Sequence, residues 1–331
     1  MKNIYSVILF STLLWSFRTQ AQVQAPQPTA AAAAIPRAET TLSKAVVRIT
    51  GTVEGLEGSV NGTGFIVSVP EPRLPGNLSI TYLVTNRHVA QAILSDASGN
   101  PVSRRILTMQ AIVNLKTAIN GTKAHSIDLP PDGPYRWHFP VDRAIDLAVI
   151  PIALNDTYDV TVIAPGLFFT EDLWAKFLIV PGDRVMTCGY FLHYAGAHQF
   201  QPIVREGSLA MVPDDTMTVP IGGTAKVYLA DLHIIPGNSG SPLFLAPVST
   251  LGGFVTDGKG GSPYGLLGIV SGYMWEDDKL TLHAATDYEG TIHANSGIAM
   301  IVPVDQLQAL LNSPELQSER DLAFANYKAR H

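Results

Sequence analysis

The sequence contains one cysteine, Cys188, in 331 residues. No intramolecular disulfide can form, so the fold must rest on its core. Charge is also scarce: 15% of residues are Asp, Glu, Lys or Arg, 22 basic against 28 acidic, for a net charge of −6. No run of basic side chains is present to neutralise phosphates, and nucleic acid is excluded as an expected partner. Metal-binding patterns are missing as well, because the nine histidines are scattered, no H-E-x-x-H occurs and the lone cysteine has no partner. Neither a metal nor a cofactor is expected. No long amphipathic helices alternate with strands, which excludes a parallel α/β sheet, and no internal repeat is visible.

Long apolar runs are confined to the first residues. In "MKNIYSVILFSTLLWSFRTQAQ", Lys2 precedes an apolar run from Ile4 to Trp15, and small residues stand at Thr19 and Ala21. This reads as a signal segment, residues 1–21, cleaved after Ala21, and implies an exported protein, periplasmic or secreted. The run is shorter than the roughly 20 residues of a membrane span and Arg18 interrupts it, so no span is expected after cleavage. Residues 22–43, rich in Ala, Pro and Gln at first, read as a flexible leader.

The sequence as a whole is 46% hydrophobic, as a globular protein is, and from Lys44 onward it falls into short runs of Val, Ile, Leu, Thr and Tyr divided by Gly, Pro, Asn and Asp. That rhythm is all-β. Runs such as "AVVRITGTV", "GTGFIVSV", "ITYLVTN" and "ILTMQAIVNL" fill the first half, and "RVMTCGYF", "REGSLAMV", "SPLFLAP" and "GIAMIVP" the second. Two sets of about six strands predict two antiparallel β-barrels, over residues 44–152 and 153–312. The second ends in a short helix, "VDQLQALLN", which Asp305 would cap with Gln308 at the capping-box position. Residues 313–331 form a tail whose Leu316, Leu322, Phe324 and Tyr327 could pack on the body or on a neighbour. "GKGGS" at 258–262 lacks the spacing of a phosphate loop and reads as a hairpin tip.

The chemistry centres on "PGNSGSP". A serine hydroxyl needs a base within hydrogen-bond reach and a third group to orient that base. "YLVTNRHVA" places His88 just after an apolar strand, and "DRAIDLAVIPI" places Asp146 just before one. Each candidate, Ser239 included, lies where a strand meets a loop. The order His88, Asp146, Ser239 is that of the chymotrypsin-type triad.

With "TNRHVA", "DLAVI" and "GNSGSP" together, the sequence resembles the chymotrypsin clan of serine peptidases, and within it the HtrA-type and related secreted bacterial trypsin-like peptidases, from about residue 44 to 312. The resemblance implies that Ser239 attacks a peptide carbonyl, that His88 relays the proton and that Asp146 orients the imidazole. It also implies an oxyanion hole from the N–H groups of Gly237 and Ser239. Ser271 and Gly272, in "GIVSG", would pair with the backbone of an extended polypeptide substrate. His233 would lie at the floor of the primary specificity pocket, where the lack of an acid disfavours Arg or Lys.

Two departures matter. Asn238 stands where the digestive members carry an Asp that pairs with a newly cut N-terminus, so no activating cleavage is expected. Ser241 replaces a usual glycine and would crowd its neighbour. Only 19 residues follow Asn312, too few for an appended peptide-binding module. Two rivals remain: an α/β-hydrolase with Asp287 and His293 after Ser239, disfavoured because the elbow is not G-x-S-x-G, and a non-catalytic or dormant peptide-binding protein of the same fold.

Overall fold

A computed structural model describes residues 38–57, 59–74, 78–96, 100–131, 133, 136–246, 265–282 and 288–330. The signal segment, the leader up to residue 37, the "GKGGS" turn and Asp287 lie outside the described residues. So does the side chain of His293.

A short helix, α1 (Ala38–Ala45), opens the described chain. Its first six residues belong to the stretch read as flexible leader. Leu42 and Ala45 are buried, and the Lys44 ammonium pairs with Asp159 at 2.8 Å, so tertiary contacts order what composition left loose.

The first half contains β1 (Val46–Val53), β2 (Val60–Pro70), β3 (Ser79–Thr85), the one-turn helix α2 (Arg87–Ala90), β4 (Ile93–Ser95), β5 (Pro101–Ser103), β6 (Ile106–Ile119), β7 (Thr122–Asp128) and β8 (Ala148–Pro151). Six of these strands form an antiparallel sheet in the order β7-β6-β1-β2-β3-β8, while β4 and β5 pair separately. The expected six strands are present, with β7 and β8 as the outer strands of this sheet. The connection between them carries Pro130, Pro131, Pro134 and Pro140. Proline supplies no N–H to a ladder, and among the described residues an isolated bridge joins His138 to Val149 of β8.

The second half comprises α3 (Glu171–Phe177), β9 (Arg184–Gly189), β10 (Ile203–Met211), the small pair β11 (Met217–Thr218) and β12 (Thr224–Ala225), then β13 (Tyr228–Asp231), β14 (Pro242–Leu245), β15 (Gly265–Leu282) and β16 (Tyr288–Pro303). Strands β10-β13-β16-β15-β14-β9 close into a barrel. Strands β15 and β16 pair far beyond the barrel wall, as far as Leu282 opposite Tyr288. Buried apolar residues fill the barrel, among them Val185, Leu209, Leu243 and Ile301.

Strand β16 runs directly into α4 (Val304–Leu311), leaving no loop residue to act as a side-chain cap. Pro303 occupies the N-cap position and Asp305 falls in the first turn, so the expected capping box does not form. The Asp305 carboxylate instead accepts the Glu171 N–H at 3.3 Å. Burial raises its pKa above the usual carboxylate value.

The tail is a helix, α5 (Pro314–Arg330), that packs back on the first sheet. Leu316 is fully buried, and Arg320 donates to the Tyr82 hydroxyl at 3.2 Å and the Leu311 carbonyl at 2.9 Å. Arg73 binds Asp321 at 2.7 Å and covers the Phe324 ring. Buried His138 lies with its two ring nitrogens 3.1 Å from the carboxylates of Glu315 and Glu319, close enough for ion pairing but without the alignment of hydrogen bonds. Among the described residues no helix is long and apolar enough to cross a membrane.

Leu316→Ala should lower the unfolding free energy by about 2–5 kcal/mol, the range for truncating a buried leucine. Leu322→Ala, on the same helix but 62% exposed, should change it by less than about 0.5 kcal/mol in the same urea titration.

Candidate active site

The site lies where the ends of strands from both halves meet. β3 ends at Thr85, and Asn86 takes the N-cap position of α2 with extended backbone angles. Its side chain does not cap the helix, because the amide donates to the Asp146 main-chain carbonyl at 2.8 Å. The capping acceptor comes from elsewhere: the Asp146 carboxylate takes the His88 N–H at 2.9 Å through Oδ1. Between them, Arg87 donates to the carbonyls of Pro140, Asp142 and Ile145 at 2.5, 3.2 and 3.3 Å, and its guanidinium covers the Phe139 ring. Three consecutive residues thus hold the segment that delivers Asp146.

Asp146 is buried, and its Oδ2 meets His88 Nδ1 at 2.7 Å. Facing a carboxylate, Nδ1 is the protonated nitrogen, which leaves Nε2 to accept a proton. Ser271 adds a third donor, its Oγ at 2.6 Å from Asp146 Oδ2. Burial acts against both charged forms, but the mutual attraction and these hydrogen bonds outweigh it. His88 is held above its ordinary pKa, and Asp146 below the usual carboxylate value.

Ser239 lies on the turn between β13 and β14. Its Oγ donates to the Ser271 carbonyl at 3.4 Å, and among the described residues it makes no hydrogen bond to His88. Ser271 is therefore the link between the two sides, touching Asp146 through its side chain and Ser239 through its main chain. It is the residue that a slip in register between Val270 and Gly272 leaves unpaired with β16. The sequence reading assigned Ser271 a main-chain role only.

Ahead of Ser239, the Asn238 N–H donates to the Ile235 carbonyl at 3.0 Å, closing a turn over Pro236 and Gly237. Gly237 has φ +98°, the value that a turn with proline second and glycine third requires. Among the described residues the N–H groups of Gly237 and Ser239 donate to no protein acceptor. Asn238 is buried as a neutral amide, with Nδ2 donating to the Tyr190 carbonyl at 2.9 Å and Oδ1 accepting the Ile235 N–H at 3.0 Å. No ion pair is needed to keep it there. Ser241 is buried with an unpaired Oγ, and Gly189 makes room for it: a Cβ on Gly189 would lie 2.1 Å from that oxygen.

A pocket of about 140 Å³ opens beside His88, lined by Ile93, Leu94, Pro101, Pro220 and Ile221, with Ser271 and Gly272 along its wall. His233 is not brought to these groups by any hydrogen bond or ion pair among the described residues; it is exposed between buried Leu232 and Ile234. Cys188 is buried, and burial pushes its thiol up to about 12, which removes it as a nucleophile.

No family model matches the sequence, and no curated protein matches it. The structure is similar to solved serine protease structures. The MamO protease domain from Magnetospirillum magneticum is 16% identical, with a TM-score of 0.44 over 83% of this chain and 100% of that one. Deg5 is 16% identical, with a TM-score of 0.43 over 82% and 88%. The active form of the Rv3671c protease from M. tuberculosis is 15% identical, with a TM-score of 0.43 over 87% and 93%.

Two measurements check the local physics. In an NMR titration, His88 should titrate above about 6.5, and in Asp146→Asn it should fall below that value because burial then acts unopposed. The stabilisation carried by the pair is complete between the ordinary carboxylate and imidazole values, above the one and below the other. It is lost as pH falls through the depressed Asp146 pKa or rises through the raised His88 pKa. Separately, Gly189→Ala should destabilise by about 1–3 kcal/mol through overpacking, and adding Ser241→Gly should recover part of the loss in chemical denaturation.

Proposed function

We propose that the protein is an exported serine endopeptidase acting on extended polypeptides, with Ser239 as nucleophile, His88 as general base and acid, and Asp146 as the group that orients and charges His88. The observation that carries this reading is the buried Asp146 carboxylate bonded to both the main chain and the ring of His88, which leaves Nε2 free to take a proton.

The Ser239 Oγ–H proton passes to His88 Nε2 as Oγ bonds to the scissile carbonyl carbon. The carbonyl oxygen becomes an oxyanion that the N–H groups of Gly237 and Ser239 stabilise. His88 then protonates the departing amine as the C–N bond breaks, leaving an ester on Ser239. Water, deprotonated by the same base, hydrolyses that ester. The resting bond from Ser239 Oγ to the Ser271 carbonyl suggests how binding prepares this step. A substrate strand pairing with Ser271 and Gly272 takes that carbonyl for its own N–H and releases the hydroxyl toward His88.

The apolar pocket beside His88 would receive an aliphatic side chain near the scissile bond. With His233 in place of an acid, a basic residue is not expected in the primary pocket. Because Asn238 is satisfied as an amide, no new N-terminus is needed for activity.

A second reading, a dormant peptide-binding protein of this fold, is favoured by one observation, the Ser239 hydroxyl bonded to the Ser271 carbonyl and, among the described residues, not to His88. Labelling with a fluorophosphonate separates the two. An adduct on Ser239, absent from Ser239→Ala and formed faster as pH rises through the raised His88 pKa, is expected. A folded protein that forms no adduct would favour the dormant reading. N-terminal sequencing of labelled protein should find no obligatory cut near residue 40.

A further inference from the structure

Thr63, on β2 of the first sheet, is fully buried and uses every polar atom it has at the boundary with the second barrel. Its hydroxyl stands between two main-chain groups of that barrel, accepting the Tyr190 N–H at 2.8 Å and donating to the Gly237 carbonyl at 2.7 Å. Its own N–H donates to the Ser239 carbonyl at 2.8 Å. Its carbonyl accepts from the Thr85 hydroxyl at 2.7 Å, three residues before His88 in the chain. The carbonyls that Thr63 holds belong to Gly237 and Ser239, whose own N–H groups face no protein acceptor among the described residues.

We infer that Thr63 is a positioning residue for the oxyanion-binding turn, its hydroxyl holding the carbonyl of the Gly237–Asn238 peptide, which lies between the peptides that carry the two donors, and so keeping both aimed at the reaction site. The inference rests on the peptidase reading for its consequence in catalysis, but its geometry stands on the hydrogen bonds alone. Without the hydroxyl, the Tyr190 N–H and the Gly237 carbonyl are left facing each other, buried and unpaired. They can satisfy one another only if the Gly237–Asn238 peptide moves, and the neighbouring peptides that carry the Gly237 and Ser239 N–H groups with it. Glycine at φ +98° has no Cβ to resist that rotation, so the turn gives way there first. The donors then leave the site although no residue of the triad has changed.

Thr63→Val removes the hydroxyl at almost constant volume, and Thr63→Ser restores it. The first readout needs no activity: in 15N-labelled full chain, Thr63→Val should displace or double the amide resonances of Gly237 and Ser239, and Thr63→Ser should reproduce the wild-type positions. The second is chemical. Fluorophosphonate labelling should slow about tenfold to a hundredfold in Thr63→Val, somewhat less than the loss of a whole oxyanion donor, and recover in Thr63→Ser. Affinity for a peptide boronate, which forms a tetrahedral adduct, should fall by a similar factor, while affinity for a non-cleavable peptide of the same sequence should not change. Unchanged amide resonances in Thr63→Val would overturn the inference, as would an equal loss of boronate and plain-peptide affinity. If wild-type protein forms no adduct, the peptidase reading fails, and the amide resonances still decide whether Thr63 sets the turn. If Thr63→Val lacks a folded spectrum, Thr63→Ala takes its place with the same readouts.

Discussion

One continuous apolar cluster joins the two halves, and the site depends on it. Phe65, Val84 and Val149 of the first sheet, with Leu147 just before β8, pack with Met186, Cys188, Phe244 and Ile269 of the second barrel, and with Leu307 and Leu316 of the terminal helices. In a chain without disulfides this seam is what fixes one half against the other. Every group of the candidate site stands at its rim. His88 and Asp146 come from one side and Ser239 and Ser271 from the other, so ångström-scale alignment of the four is a property of the packing beneath them.

The polar arrangement at the rim follows from burying Asp146. A carboxylate taken out of water is strongly destabilised unless donors surround it. Here the His88 N–H, the His88 ring and the Ser271 hydroxyl supply them. The same three contacts orient the imidazole, so what stabilises the charge also sets its geometry. Arg87 and Asn86 extend this by securing the main chain that brings Asp146 in. On the opposite side Asn238 is held by amide contacts, and its turn is a balance of neutral hydrogen bonds.

The strands were legible because apolar β-branched runs are bounded by Gly and Pro, and His88 and Asp146 because each flanks such a run. Other features were hidden by chain distance. Ser271 finds Asp146 across 125 residues and Thr63 finds Gly237 across 174, and a hydroxyl inside a strand reads only as a residue that favours strands. The helical end of the leader could not be read from "AETTLSKA", since the burial of Leu42 is a tertiary fact. The Asp305 cap failed for a local reason: no loop separates β16 from α4.

The docking of α5 has a consequence in time. Arg320 meets Tyr82 across 238 residues of chain, so the contact closes a very long loop. The equilibrium cost of such closure grows only with the logarithm of loop length, but contacts of this separation form slowly. A contact made after the folding barrier has been crossed slows unfolding without speeding folding. Where proteases are present, a chain is cut when it opens, and where cutting outpaces reclosing its lifetime follows the opening rate. On that footing the helix farthest along the chain from β3 governs how long the first sheet survives.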